Sequence, residues 1–100
     1  MKAYRIDAEA GRISNVEVDD HLDILRHVGC DCFAVGLVLD NRDTLYIDDE
    51  GLLKPEVNHG FAFDGVPFVG NGLLVGGDGF GDAADVETEE LEVAKRVSFR

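Results

Sequence analysis

Positive charge is scarce in this 100-residue chain. Nine Lys and Arg stand against 21 Asp and Glu, a formal net charge of −12. Nucleic-acid phosphates need a positive partner, so direct binding of DNA or RNA is not expected. An anionic membrane surface is disfavoured for the same reason. The imbalance favours solubility and attraction to a basic partner; its plainer reading is a solvated acidic shell. Long apolar runs are also missing. None reaches the ~18 residues that a membrane-spanning helix needs, and the opening MKAYRIDAEAGR has no apolar signal-peptide core. These absences predict a cytoplasmic location, where Cys30 and Cys32 would be thiols and not a disulfide. Proline is rare, 2 residues against 12 glycines, which points to many turns and not to a collagen-like or disordered chain.

An apolar fraction of 45% suffices for one core, so residues 1–100 are expected to form a single compact acidic domain. Met1 to Asp7 and Arg12 to Val18 read as an N-terminal hairpin around the turn DAEAG. Asp19 or Asp20 caps a helix through Val28, with Leu22, Leu25 and Val28 at helical spacing and Gly29 as the stop. CFAVGLVLD, Cys32 to Asp40, reads as a strand covered on both faces. DNRD then returns the chain into a strand from Thr44 to Asp48. Phe61 and Phe63 alternate before a DGVP turn, and FVGNGLLVGG reads as one buried strand whose glycines signal a bulge or a close backbone approach. The segment from about Val86 to Ala94 is expected as a helix, followed by a brief terminal strand; Glu92 and Arg96 are a favourable i,i+4 pair. The fold class that results is α+β: a mostly antiparallel sheet of about five to six strands with one or two short helices packed on it. The expected core comprises Tyr4, Ile6, Leu22, Leu25, Val28, Phe33, Val35, Leu37, Tyr46, Phe68, Leu74 and Val75.

The stretch GGDGFGDAADV, Gly76 to Val86, has the composition of a cation- or phosphate-binding loop. Its spacing fails both. Counted from Asp78, the third and sixth positions of an EF-hand loop fall on Phe80 and Ala83. The calcium-binding β-helix repeat would need its aspartate where Gly81 stands. No P-loop sequence is present, and Asp78, Asp82 and Asp85 would repel phosphates. The plainer reading is a strand-to-helix connection, with Asp85 as helix cap and Glu87 near the positive helix end. His21, His27, Cys30 and Cys32 have zinc-ligand chemistry, but H-x5-H-x2-C-x-C is no common finger spacing, and the two histidines fall on different helix faces. The two serines, Ser14 and Ser98, lie in terminal strands, and nothing near Cys30 lowers a thiol pKa. No catalytic residue, metal ligand or cofactor is assigned.

The acids themselves remain. Seven lie between Asp78 and Glu92 with no Lys or Arg among them; further groups are Asp40, Asp43, Asp48, Asp49 and Glu50, and Glu17, Asp19, Asp20 and Asp23. If exposed and gathered on one face, they could imitate a run of phosphates and displace nucleic acid from a protein that binds it.

LYIDDEGLLKPEVN (Leu45–Asn58) and FVGNGLLVGGD (Phe68–Asp78) resemble an uncharacterised family of small proteins from phages, plasmids, integrative elements and their bacterial hosts. In that family an early helix ends in glycine, and a hairpin leads to D-E-x-G. An asparagine, a G-N-x-hydrophobic-hydrophobic-V-G strand, an acidic loop and a final helix follow. LDILRHVG, YIDDEG, Asn58, VGNGLLVG and DVETEELEVAKR keep that order from about Leu22 onward. The family often has a second glycine where this chain has Cys30, which makes that cysteine a turn residue. The resemblance implies a mobile-element accessory protein with no known catalytic residues.

Together these readings predict a non-enzymatic interaction protein that binds a basic protein partner through Asp78, Asp82, Asp85, Glu87, Glu89 and Glu90. Its sharper form is inhibition of a host nucleic-acid-binding defence system, of anti-restriction or anti-CRISPR type. The alternative is a small calcium- or zinc-binding module.

Overall fold

The N-terminal hairpin forms where alternation and the DAEAG turn place it. Strand β1, Lys2–Asp7, pairs antiparallel with β2, Arg12–Glu17, from Lys2 opposite Glu17 to Asp7 opposite Arg12. The structure, a computed structural model, describes residues 1–53, 59–77 and 82–99, with Leu52 by its backbone only.

Helix α1, His21–Val28, has both expected ends. The Asp20 carboxylate accepts the N–H groups of Leu22 and Asp23, and Gly29 closes the helix in the left-handed conformation at φ 77°. Cys30 follows as a turn residue, its N–H donating to the Leu25 carbonyl. The buried apolar residues of α1 are Ile24 and Val28, one turn apart; Leu22, expected inside, is 61% exposed.

Strand β3, Phe33–Val38, and β4, Thr44–Asp48, form the second hairpin. Their register shifts between Val35 and Leu37, so a bulge at Gly36 breaks the alternation. Val35, before the bulge, is 55% exposed and not core, and Val38 after it is 63% exposed, so β3 is not covered on both faces. A 3₁₀ turn, Gly51–Leu53, follows. Strand β5, Gly60–Phe63, and β6, Val66–Val69, are joined by Asp64 and Gly65, both at positive φ, as a two-residue Asp-Gly hairpin requires. The strand expected over FVGNGLLVGG is two strands. Gly70, at φ 85°, ends β6, and the chain crosses into β7, Gly72–Gly77. The Asn71 side chain secures that crossing by accepting the Ala8 N–H. β8 is Ala83–Ala84, α2 is Glu90–Arg96 and β9 is Val97–Phe99. The helix expected from Val86 thus starts four residues later.

The strand order β2-β1-β7-β4-β3 makes the larger sheet, with β8 added to the end of β7; β6-β5-β9 makes a smaller one, and every pairing is antiparallel. The fold is α+β, as the pattern predicts, with the smaller sheet as an additional layer. Helix α1 covers one face of the larger sheet through Val18, Ile24, Val28, Leu73 and Val75. The other face packs on the smaller sheet and α2 through Tyr4, Ile6, Leu45, Phe61, Phe63, Leu74 and Val93. Central strand β7 serves both layers, Leu73 and Val75 on one side and Leu74 on the other. Its Gly72 has no side chain because the Phe61 ring fills that space: a Cβ there would sit 2.6 Å from the ring.

Candidate functional site

Residues 82–90 run across one end of the larger sheet. β8 starts this course by pairing with the end of β7, Gly76 opposite Ala84 and Gly77 opposite Ala83. Part of the expected strand-to-helix loop is thus a strand, β8, and Asp78 lies outside the described residues. The close backbone approach anticipated for the glycines is at Gly76, where a Cβ would lie 2.0 Å from the Asp85 carbonyl oxygen.

Asp85 does not cap a helix. Its carboxylate accepts the backbone N–H of Lys2 at 2.7 Å, and the next residue, Val86, donates its N–H to the Lys2 carbonyl. The chain is thereby fastened to the start of β1. The N-cap of α2 is Glu89, which makes no side-chain capping bond.

The second fastening point is Asp43. Counted among surface acids from the sequence, it is fully buried. Its carboxylate accepts the N–H groups of Glu87 and Thr88 and the Thr88 hydroxyl. Asn41 orders this group from both sides, accepting the Asp43 N–H and donating to Thr88 Oγ1. A buried carboxylate is tolerated only when such donors surround it. The only sequence signal was the turn composition of DNRD, which says nothing about burial. Asp23 is likewise drawn inward, accepting the Asp19 N–H and pairing with Arg26.

The pairing registers decide which acids gather. The start of β1, the ends of β2 and β7, the start of β4 and the end of β3 all lie at one end of the sheet. That end therefore carries Glu17, Asp19 and Asp20 after β2, Asp40 after β3, and the exposed Asp82, Asp85, Glu87, Glu89 and Glu90. Asp48, Asp49 and Glu50 follow the end of β4 and lie at the opposite end. Basic groups at the acidic end include the N-terminal ammonium, which pairs with Glu17, together with Lys2 and Arg42, and Arg96 is near enough to Asp40 to feel its charge. Glu90 is tied to β2 through the Asn15 amide at 3.0 Å. The negative field reaches the core: burial, and then Glu90, Asp43 and Glu89, push the Tyr4 phenol above its ordinary pKa.

Beside this end, on the α1 side of the sheet, an open groove of about 330 Å³ is lined by Val38, Arg42, Thr44, Tyr46, Gly76, Gly77, Asp82 and Ala83. Val38 is 63% exposed there.

The zinc candidates separate by environment. His21 is exposed at the start of α1, and His27 is half-buried near its end, its pKa lowered chiefly by burial. Cys30 packs against the α1-side core, and Cys32 is exposed. Among the described residues, no three His, Cys, Asp or Glu side chains come together as a metal-holding group. No helix among them is long and apolar enough to cross a membrane.

The sequence profile of DUF3846, a domain of unknown function, matches residues 1–98, and the chain belongs to that family. No curated protein and no solved structure matches the chain.

Proposed function

We propose that this DUF3846 member is a non-enzymatic interaction protein that engages a basic surface of a protein partner through the acidic end of its larger sheet. One observation carries the reading: strand registers bring acids from three separated parts of the sequence to that end. Nothing in a fold requires like charges to be brought together, and doing so costs stability through repulsion. The sharper form names the partner as a nucleic-acid-binding component of a host defence system, whose DNA or RNA site the carboxylates would occupy. That form draws on the resemblance to phage and plasmid proteins and implies action in the cytoplasm of a bacterial host.

The test is affinity capture from host lysate at low and high salt, comparing the native chain with Glu87→Lys/Glu89→Lys. Asp85 and Asp43 are left intact because they hold the segment in place. The expected result is a basic protein retained at low salt, released at high salt, and lost with the charge-reversed variant. Equal retention by both chains at all salt concentrations overturns the reading. Competition against DNA or RNA for the captured protein then decides the sharper form.

A further inference from the structure

We infer that the outer edge of β3 receives an extended segment of the basic partner as an added strand; this deepens the reading just given and rests on it. Among the described residues β3 pairs only with β4, so its other side presents backbone donors and acceptors to solvent. Edge strands are usually guarded by Lys, Pro or charged side chains. β3, Phe33–Val38, has none of these, and its one guard is the bulge at Gly36. The opposite edge strand, β2, carries Arg12 and Glu17 within its length.

Val35 and Val38, 55% and 63% exposed, stand open on this strand. An added strand would place alternate apolar side chains over them, a mode in which the backbone ladder supplies affinity and alternate side chains supply selectivity. Charge selects the occupant. Exposed Asp31 and Asp40 bracket β3, and no Lys or Arg lies between them. A second copy pairing antiparallel would set Asp31 of one chain near Asp40 of the other, between molecules each carrying a formal charge of −12. Self-pairing is therefore opposed, whereas a strand with basic residues at its ends meets an acid at each end.

The test uses an alternating Lys-Val peptide as probe and amide-resolved NMR of the full chain as readout. The expected result is shifts at Phe33–Val38 and slowed hydrogen exchange on β3. A version of the peptide methylated on alternate backbone nitrogens keeps its charge but loses its ladder donors, and is expected to bind at least tenfold more weakly. Equal binding of the methylated peptide overturns the inference. So do shifts confined to residues 82–90, although that outcome leaves the acidic-partner reading standing. Absence of binding by either peptide at low salt overturns the inference, while the capture experiment above continues to judge the broader reading. Concentration-dependent shifts on β3 without peptide would identify a second copy as the occupant and overturn the choice of partner.

Discussion

The buried carboxylate of Asp43 accepts the backbone N–H of Thr88 at 2.8 Å, a bond across 45 residues of sequence. It joins the β3–β4 turn to the acidic segment just before α2. With the Asp85–Lys2 bond, it determines where the exposed acids of that segment stand.

Asp43→Asn keeps the size but turns an acceptor-only group into one that also presents N–H donors to the donors of Glu87 and Thr88. The expected cost is about 2 kcal/mol, the scale of a buried polar group left mismatched. Urea unfolding measures it, and amide exchange should quicken first at Glu87 and Thr88. A loss under about 0.5 kcal/mol, the level of an ordinary surface substitution, would mean the carboxylate does not hold the segment.

Gly76→Ala would place a methyl group 2.0 Å from the Asp85 carbonyl oxygen. Backbone must move, so β8 should detach from β7 at a cost of about 1–3 kcal/mol. Thermal unfolding gives the magnitude. Loss of exchange protection at Ala84 and Val86, with β4 unaffected, would localise it.

Arg96 forms a two-point pair with Asp64, at 2.8 Å through Nε and 2.5 Å through Nη2, tying the end of α2 to the β5–β6 turn. The Arg96 hydrogen bonds hold the Asp64 carboxyl below its ordinary pKa of 3.8. The Asp64 side chain is 40% exposed, so solvent screens the pair and Asp64→Asn should cost only about 0.5 kcal/mol. A lowered folded-state pKa means the contribution is complete above the unfolded value and fades as pH falls through the folded one. The stability difference between native chain and variant should be flat from about pH 5 to 8 and shrink below about pH 4. A difference that instead grew on acidification would contradict the pairing.

His27 is pushed below its ordinary pKa of 6.5, mainly by burial and further by Arg26 and Arg5, against the opposing effect of its bond to the Glu17 backbone. Between the folded value and 6.5 the unfolded chain binds more protons, so stability falls as pH drops through 6.5 and levels off below the folded value. Urea midpoints at pH 8 and pH 5.5 should therefore differ more for the native chain than for His27→Gln. Equal differences in the two proteins would show that another group carries the dependence.

Local chemistry was legible wherever it was enough to shape the chain. The Asp20 cap, the Gly29 stop, the DAEAG turn and the Asp64–Gly65 hairpin follow from residues in contact with their immediate neighbours. Placing Leu22 and Val35 in the core failed because each depends on a distant partner. α1 buries Ile24 and Val28 toward β7, and the core on that side takes Phe33 and Tyr46 but leaves Leu22 and Val35 outside it. Phe61, Phe63, Leu45 and Leu73, all fully buried, lie outside the expected core for the same reason: their burial comes from the smaller sheet and α1 closing on opposite faces of the larger sheet.

The sequence by itself determined the α+β class, the positions of most hairpins, the first helix and the excess of negative charge, because periodicity, capping and composition act within a few residues. Tertiary structure decided which acids are available and where. It buried Asp43, committed Asp85 to the start of β1, sent Asp48, Asp49 and Glu50 to the far end of the sheet, and left Glu87 and Glu89 outward. Antiparallel register makes those choices, since it sets which strand ends lie together, and register is settled only when both faces of β7 find their cores.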